Sequence, residues 1–222
     1  MRLAGLPWPE VTAAMVLAVP LGATEQHGPH LPLGTDTDIA VALADRLACA
    51  RPGVVAAPAL AYGSSGEHAS FPGTLSIGQA AFETVVVELV RSADAFAGTV
   101  LVSAHGGNAV PLARAVRTLS REGRRVLAWS PRVRDGDAHA GRTETSLMLA
   151  LAGGVVRADR AEAGDTRPLA DIATVLRAQG VAAVSVNGVL GDPAGASAAE
   201  GESLLDALAT DLVAAFDRWS AA

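Results

Sequence analysis

Glu25, Gln26 and His27 stand side by side, Thr35 and Asp36 follow after a short polar loop, and His105 and Glu144 come from distant loops. Glu25, Asp36 and Glu144 offer three carboxylates, and His27 and His105 offer two imidazoles. Mixed imidazole and carboxylate ligands suit zinc, iron or manganese, whereas an all-oxygen set would suit magnesium or calcium. No thiolate joins them, because Cys49, the sole cysteine, lies in a stretch of helical spacing. Three anionic ligands neutralise much of the charge of two divalent ions. Two ions that share a carboxylate can hold a hydroxide and present it to a carbonyl, which permits hydrolysis without a Ser, Cys or Lys nucleophile. A single His–carboxylate pair in a loop is more often a cap or a surface hydrogen bond. Three such loops together point to a metal centre.

Other chemistries are excluded by what the chain lacks. All 17 basic residues are arginine, so there is no Schiff-base lysine, no phosphate-loop lysine and no Ser-Lys dyad. The HGGN run at 105–108 is not a phosphate-loop pattern, no GxGxxG occurs, and Gly63-Ser64-Ser65-Gly66 does not supply the GxSxG of a serine hydrolase. A net charge of -6 and a pI near 5.3 argue against a nucleic-acid partner. The apolar stretches Ala13 to Ala23 and Leu147 to Val156 are too short to span a bilayer. The N-terminus, with Pro7, Pro9 and Glu10, lacks the order of a signal peptide. One cysteine cannot form an intrachain disulfide. These features predict a cytoplasmic protein with no membrane step.

The elements that must position these residues follow from periodicity. With 222 residues, half of them apolar, 18% charged and a mean hydropathy of +0.32, the chain is expected to bury one large core as a single domain over 1–222. Apolar runs at Met15 to Leu21, Val54 to Leu60, Thr99 to Ser103, Arg125 to Trp129 and Val181 to Val186 read as strands. Helical spacing marks Asp36 to Ala50, a stretch around Phe82 to Ala93, Val110 to Glu122, a segment capped by Thr143, Leu169 to Gln179, and a C-terminal helix opened by a Ser197/Glu200 capping box. Alternating strands and helices predict a three-layer α/β/α sandwich with a mostly parallel sheet. In such folds ligands bind beyond the carboxyl ends of the strands, and all five histidines fall in loops.

The segments PLGATEQHGPHLPLGTD at 20–36, FPGT at 71–74, HGGN at 105–108, HAGRTETS at 139–146 and GVLGDP at 188–193 together resemble the creatininase (creatinine amidohydrolase) family, over essentially the entire chain. YGSSGEHASFPGTLSIG and DAHAGRTETS are similar to the branch associated with mycofactocin maturation. The resemblance implies a dinuclear metal centre that hydrolyses amide bonds, with zinc and/or iron as cofactor and manganese also compatible. Glu25, Asp36 and His105 match ligands of one metal and His27 and Asp36 ligands of the other, so Asp36 would bridge. His139 matches the residue that handles the proton near the leaving nitrogen. Creatininase itself has a glutamate where this chain has Gly107. Glu144 is the candidate replacement ligand, against the plainer role of a first-turn carboxylate stabilised by the helix dipole. The implied substrate is an enzymatically modified precursor peptide, cut near its C-terminus to release a fragment derived from its terminal Val-Tyr. The alternatives are a family hydrolase of a small cyclic or formyl amide, and a metal-binding scaffold without catalysis. A homo-oligomer, a hexamer or similar ring, is also implied.

The remaining polar residues have two readings each. His68 lines the pocket and donates to a developing oxyanion, or makes a loop hydrogen bond. His30 is expected to orient a ligand. Ser64 and Ser65 are expected to turn the chain, Asn108 to fix its loop or cap a helix, and Arg142 to attract a substrate carboxylate or to remain a solvated surface charge.

Overall fold

The computed structural model describes residues 1–222. Four strands, β1 (Val16–Leu21), β2 (Val54–Ala56), β3 (Gly98–Ser103) and β4 (Val126–Trp129), form a sheet in the order β2-β1-β3-β4. Every pairing is parallel. The helices are α1 (Thr35–Ala50), α2 (Gly78–Arg91), α3 (Ala109–Arg121), α4 (Arg142–Ala152), α5 (Leu169–Gln179) and α6 (Ala198–Ser220).

Strand residues alternate between two cores, as the period-2 pleat requires. Leu17, Val19, Leu21 and Leu101 pack on one face with Phe82, Val86 and Val90 of α2 and Leu112 and Leu119 of α3. Ala18, Val100 and Val102 face the other way, against Leu43 and Leu47 of α1, Met148 of α4 and Leu205, Leu212 and Phe216 of α6. A central strand buried on both faces therefore reads as a continuous apolar run. The three-layer α/β/α sandwich is thus the observed architecture.

Three local expectations change. The second strand ends at Ala56 rather than Leu60, because Pro58 has no N–H to continue a ladder; Leu60 returns as an isolated bridge to Leu21. Val181 to Val186 is not a strand: Val181–Ala183 is a 3-10 turn. The N–H groups of Val184 and Ser185 bond locally to Val181 O, and Val186 is 94% exposed. Thr143 does not cap α4; the Asp137 carboxylate accepts from the N–H groups of Arg142 and, at 3.0 Å, Thr143. The capping box of α6 is half formed. Ser197 Oγ accepts from Glu200 N at 3.2 Å, while the Glu200 carboxylate turns to Arg142 and Ser146.

The register places the functional loops. Leu21 pairs with Ser103, so the loops leaving β1 and β3 start side by side at the carboxyl edge of the sheet. Leu101 is fully buried in mid-strand, and Leu101→Ala should destabilise the fold by about 2–5 kcal/mol, most of it a cavity term. Urea denaturation measures this; a loss under about 1 kcal/mol would show that the α2/α3 side collapses into the space.

Candidate metal centre

Four segments of the chain deliver the five candidate ligands. Glu25 and His27 lie in the loop after β1, Asp36 in the first turn of α1, His105 just after β3, and Glu144 in the first turn of α4. First-turn positions hold carboxylates near the positive end of a helix dipole. Glu25, His27, Asp36 and His105 are buried, and the Glu144 side chain is 20% exposed.

Asp36 stands at the centre. Its Oδ1 is 3.3 Å from His27 Nε2 and its Oδ2 is 3.3 Å from His105 Nδ1. Glu25 Oε1 is also 3.3 Å from His105 Nδ1, and Glu144 Oε2 is 3.8 Å from His27 Nε2. The ligand atoms group as Glu25/Asp36/His105 and His27/Asp36/Glu144, with Asp36 common to both. A further group joins Glu25, His27 and His139.

These atoms fit metal ions. Both oxygens of Glu25, Asp36 Oδ2 and His27 Nε2 are buried without a hydrogen-bond partner, a state that ordinarily costs several kcal/mol per charged group unless a counter-ion is bound. The imidazoles are turned correctly for ligation. His27 Nδ1 donates to Glu25 O at 3.1 Å and His105 Nε2 to Ser64 O at 3.0 Å, which leaves the other nitrogen of each ring as a lone pair aimed at the carboxylates.

Electrostatics follow from this crowding. Burial opposes charge on His27, but Asp36, Glu144 and Glu25 outweigh it and lift its pKa to about 10. Burial likewise opposes charge on His105, and Asp36 and Glu25 raise it well above the usual histidine value. Asp36 is held far below the carboxylate range by His27 and His105 in spite of its burial. Burial and the negative charge of Asp36 push Glu144 up to about 7.

His68 and His139 behave differently. Burial, then the positive charge of neighbouring imidazoles, lowers both, His68 to about 4 and His139 well below its ordinary value. Both are drawn toward the neutral form. His139 Nδ1 lies 3.8 Å from Glu25 Oε1 and His68 Nε2 lies 3.4 Å from it. The GVLGDP segment holds His139 in place, since His139 and Leu190 exchange backbone hydrogen bonds across an antiparallel bridge. Beside them Ala140 adopts a left-handed φ of 53°, a conformation that non-glycine residues hold only when the surroundings impose it.

The other expectations divide. Asn108 fixes its loop, with Oδ1 accepting from Ser64 N at 2.9 Å and Nδ2 donating to Gly22 O at 3.1 Å; it makes no side-chain cap. Ser64 and Ser65 lie in irregular backbone beside His105, Ser64 O accepting from His105 Nε2 and Ser65 leading into the 3-10 turn Gly66–His68. His30 Nε2 is 2.8 Å from Thr145 Oγ1, so it braces α4 next to Glu144 instead of bonding a ligand directly. Arg142 is exposed and paired with Glu200 at 2.9 Å, so it behaves as a surface charge. Glu144 sits in the first turn of α4, and its Oε2 accepts from Ala140 N at 2.6 Å.

Two residues escaped sequence reasoning. Gln26 sits between two candidate ligands and contacts both His68 and His139; its place inside the first motif was the available signal. Glu67 comes from the neighbouring loop to fill space beside Gly107. A Cβ at Gly107 would fall 2.5 Å from His105 Nε2 and 2.6 Å from Glu67 Oε1. A side chain there is therefore incompatible with the His105–Ser64 hydrogen bond, and no sequence pattern foretells that.

The carboxyl edge of this parallel α/β sandwich thus carries buried carboxylates and imidazoles that could hold metal ions. The sequence matches the creatinine amidohydrolase family over residues 4–216, and the chain belongs to that family and is a hydrolase. It is 49% identical over 212 residues, 92% of this chain and 85% of the relative, to a Mycolicibacterium smegmatis protein named mycofactocin precursor peptide peptidase. A creatininase variant in a Zn-Zn form superimposes with a TM-score of 0.80 at 27% identity, covering 98% of this chain and 97% of the other. A manganese form does so with a TM-score of 0.80 at 26% identity and the same coverage. No helix is long and apolar enough to cross a membrane.

Metal binding must expel the protons that the raised imidazoles hold. The facing carboxylates draw His27 and His105 toward the protonated form while metal-free, so zinc titration at pH 7 should release protons. Calorimetry in buffers of different ionisation enthalpy reads the number. Binding should weaken as pH falls, and heats independent of the buffer would contradict the electrostatic picture.

Proposed function

We propose that the chain is a dinuclear metal-dependent peptidase that cleaves an enzymatically modified precursor peptide near its C-terminus, releasing the Val-Tyr-derived fragment. The observation that carries the dinuclear reading is Asp36, whose two oxygens each face a different unprotonatable-when-ligated nitrogen, His27 Nε2 and His105 Nδ1, at 3.3 Å. Glu25, Asp36 and His105 would hold one ion, and His27, Asp36 and Glu144 the other. Zinc and/or iron suit these donors, and manganese is compatible with them. Bound divalent ions would supply a hydroxide nucleophile at neutral pH and polarise the scissile carbonyl.

The protein groups divide the remaining work. His139, neutral and with Nδ1 turned to the site, accepts a proton and delivers it to the departing nitrogen. His68 offers Nε2–H toward the oxygen on which charge develops. The peptide reading is supported by the likeness to the mycobacterial relative and by the shape of the site. A cavity of about 240 Å³ joins Glu25, His68, His105 and His139 to an apolar wall of Leu169, Leu176, Val181 and Leu190. That is below the usual ~300–1,000 Å³ of a complete ligand pocket, enough for a scissile amide and a neighbouring side chain. A groove of about 890 Å³ shares Ala138, Leu169 and Leu190 with it, and gives the rest of an extended peptide a path. Assembly into a homo-oligomer, a hexamer or similar ring, and a cytoplasmic location rest on the family resemblance and the composition.

Mass spectrometry of the modified precursor peptide, incubated with metal-loaded and with chelated protein, tests the assignment. Cleavage near the C-terminus only with metal is expected; bound metal without cleavage would transfer the activity to small cyclic or formyl amides. Asp36→Ala should abolish both metal loading and turnover, and two tightly held ions in that variant would remove Asp36 from the bridge. His139→Ala should keep the metals by elemental analysis yet lower kcat by about 10²–10⁴-fold; unchanged turnover would exclude it from proton transfer.

A further inference from the structure

Gln26 is buried between Glu25 and His27, yet it has no place in the metal or proton chemistry above. Two backbone groups fix its amide. Gly28 N–H donates to Oε1 at 2.8 Å, and Nε2 donates to Gly188 O at 3.0 Å. An N–H can only donate and a carbonyl can only accept, so the amide has one allowed orientation.

That orientation dictates the histidines beside it. The second hydrogen of Gln26 Nε2 meets His68 Nδ1 at 2.8 Å, which requires a lone pair on Nδ1. Neutral His68 therefore carries its hydrogen on Nε2, the nitrogen 3.4 Å from Glu25 Oε1. His139 Nε2 lies 3.1 Å from Gln26 Nε2 and 2.9 Å from Gln26 O. Both amide hydrogens are already committed, so the 2.9 Å contact is the bond: His139 Nε2 donates to the carbonyl. The lone pair of His139 is then on Nδ1, toward Glu25. The two rings share one tautomer but present opposite edges to the site, His68 a donor and His139 an acceptor.

Resting on the hydrolase reading above, we propose that Gln26 is a positioning residue that sets the tautomers of His68 and His139, with Gly188 as the backbone half of the same device. Gly188 has φ +81°, and a Cβ there would lie 2.5 Å from Gln26 Cδ and 2.8 Å from its Nε2. Any side chain at 188 displaces the amide. This gives the GVLGDP segment a second role beyond its bridge to His139, and couples it to the first motif from 162 residues away.

The test is ¹⁵N-histidine NMR of the metal-free and zinc-loaded protein, combined with kinetics on the peptide. In the native protein His68 and His139 should both show protonated Nε2 and unprotonated Nδ1. Gln26→Glu, which replaces the N–H donor by an acceptor, should move the proton of His68 onto Nδ1. Gly188→Ala and Gln26→Met should each disturb the His68 signals and lower kcat on the order of 100-fold, with metal content kept and KM nearly unchanged. The double variant should be no worse than either single one, since both remove one interaction. Nδ1 protonation of His68 in the native protein, an undisturbed His68 in Gly188→Ala, or additive losses would each overturn the proposal. A native protein that cleaves no peptide would sink the substrate reading and leave the NMR result to decide this one.

Discussion

Three carboxylates and their facing imidazoles have been taken out of water at one end of a parallel sheet, and the rest of the site exists to hold them there. In a low-dielectric interior such a group of charges is tolerated only if each finds a partner. The side chains present cannot satisfy one another, since both oxygens of Glu25 and one of Asp36 remain without hydrogen bonds. Cations bound among them would complete the balance. The imidazoles are preset for them by the main chain, because Glu25 O and Ser64 O take the outward N–H of His27 and His105. A carbonyl acceptor at that position fixes both ring orientation and lone-pair direction.

The surroundings also divide the four imidazoles into two pairs. His27 and His105 face carboxylates and are drawn toward the charged state, whereas burial and neighbouring imidazoles dominate at His68 and His139 and keep them neutral. One cavity thereby contains imidazoles with opposed tendencies, the condition under which acid and base roles can be divided at one pH. The departure at Gly107 fits this scheme. With no side chain there, the His105–Ser64 bond and the Glu67 carboxylate occupy the volume, and Glu144 approaches His27 from α4 on the other side.

Much of this was legible in the residues. The apolar runs Met15 to Leu21 and Thr99 to Ser103 read as buried strands, and the helical stripes around them gave the three layers. The loop carboxylates and histidines were legible as a candidate metal-binding group because no other nucleophile chemistry was on offer. Where local reading failed, the cause was tertiary. Val181 to Val186 has the composition of a strand, but Val181 O takes the N–H groups of Val184 and Ser185 around a 3-10 turn. Thr143 has the chemistry of a cap, but Asp137 reaches the same N–H groups from outside the helix.

The sequence by itself determined the kinds of donor available, the elements that carry them and the exclusion of lysine and thiolate chemistry, because these depend on residue type and local period. Which nitrogen of each histidine faces inward, that Glu144 closes on His27, that Glu67 stands where Gly107 is bare, and that Gln26 meets Gly188 were decided only by the tertiary structure. Each depends on atoms from segments far apart in the chain brought within hydrogen-bond distance, and no local pattern encodes such distances.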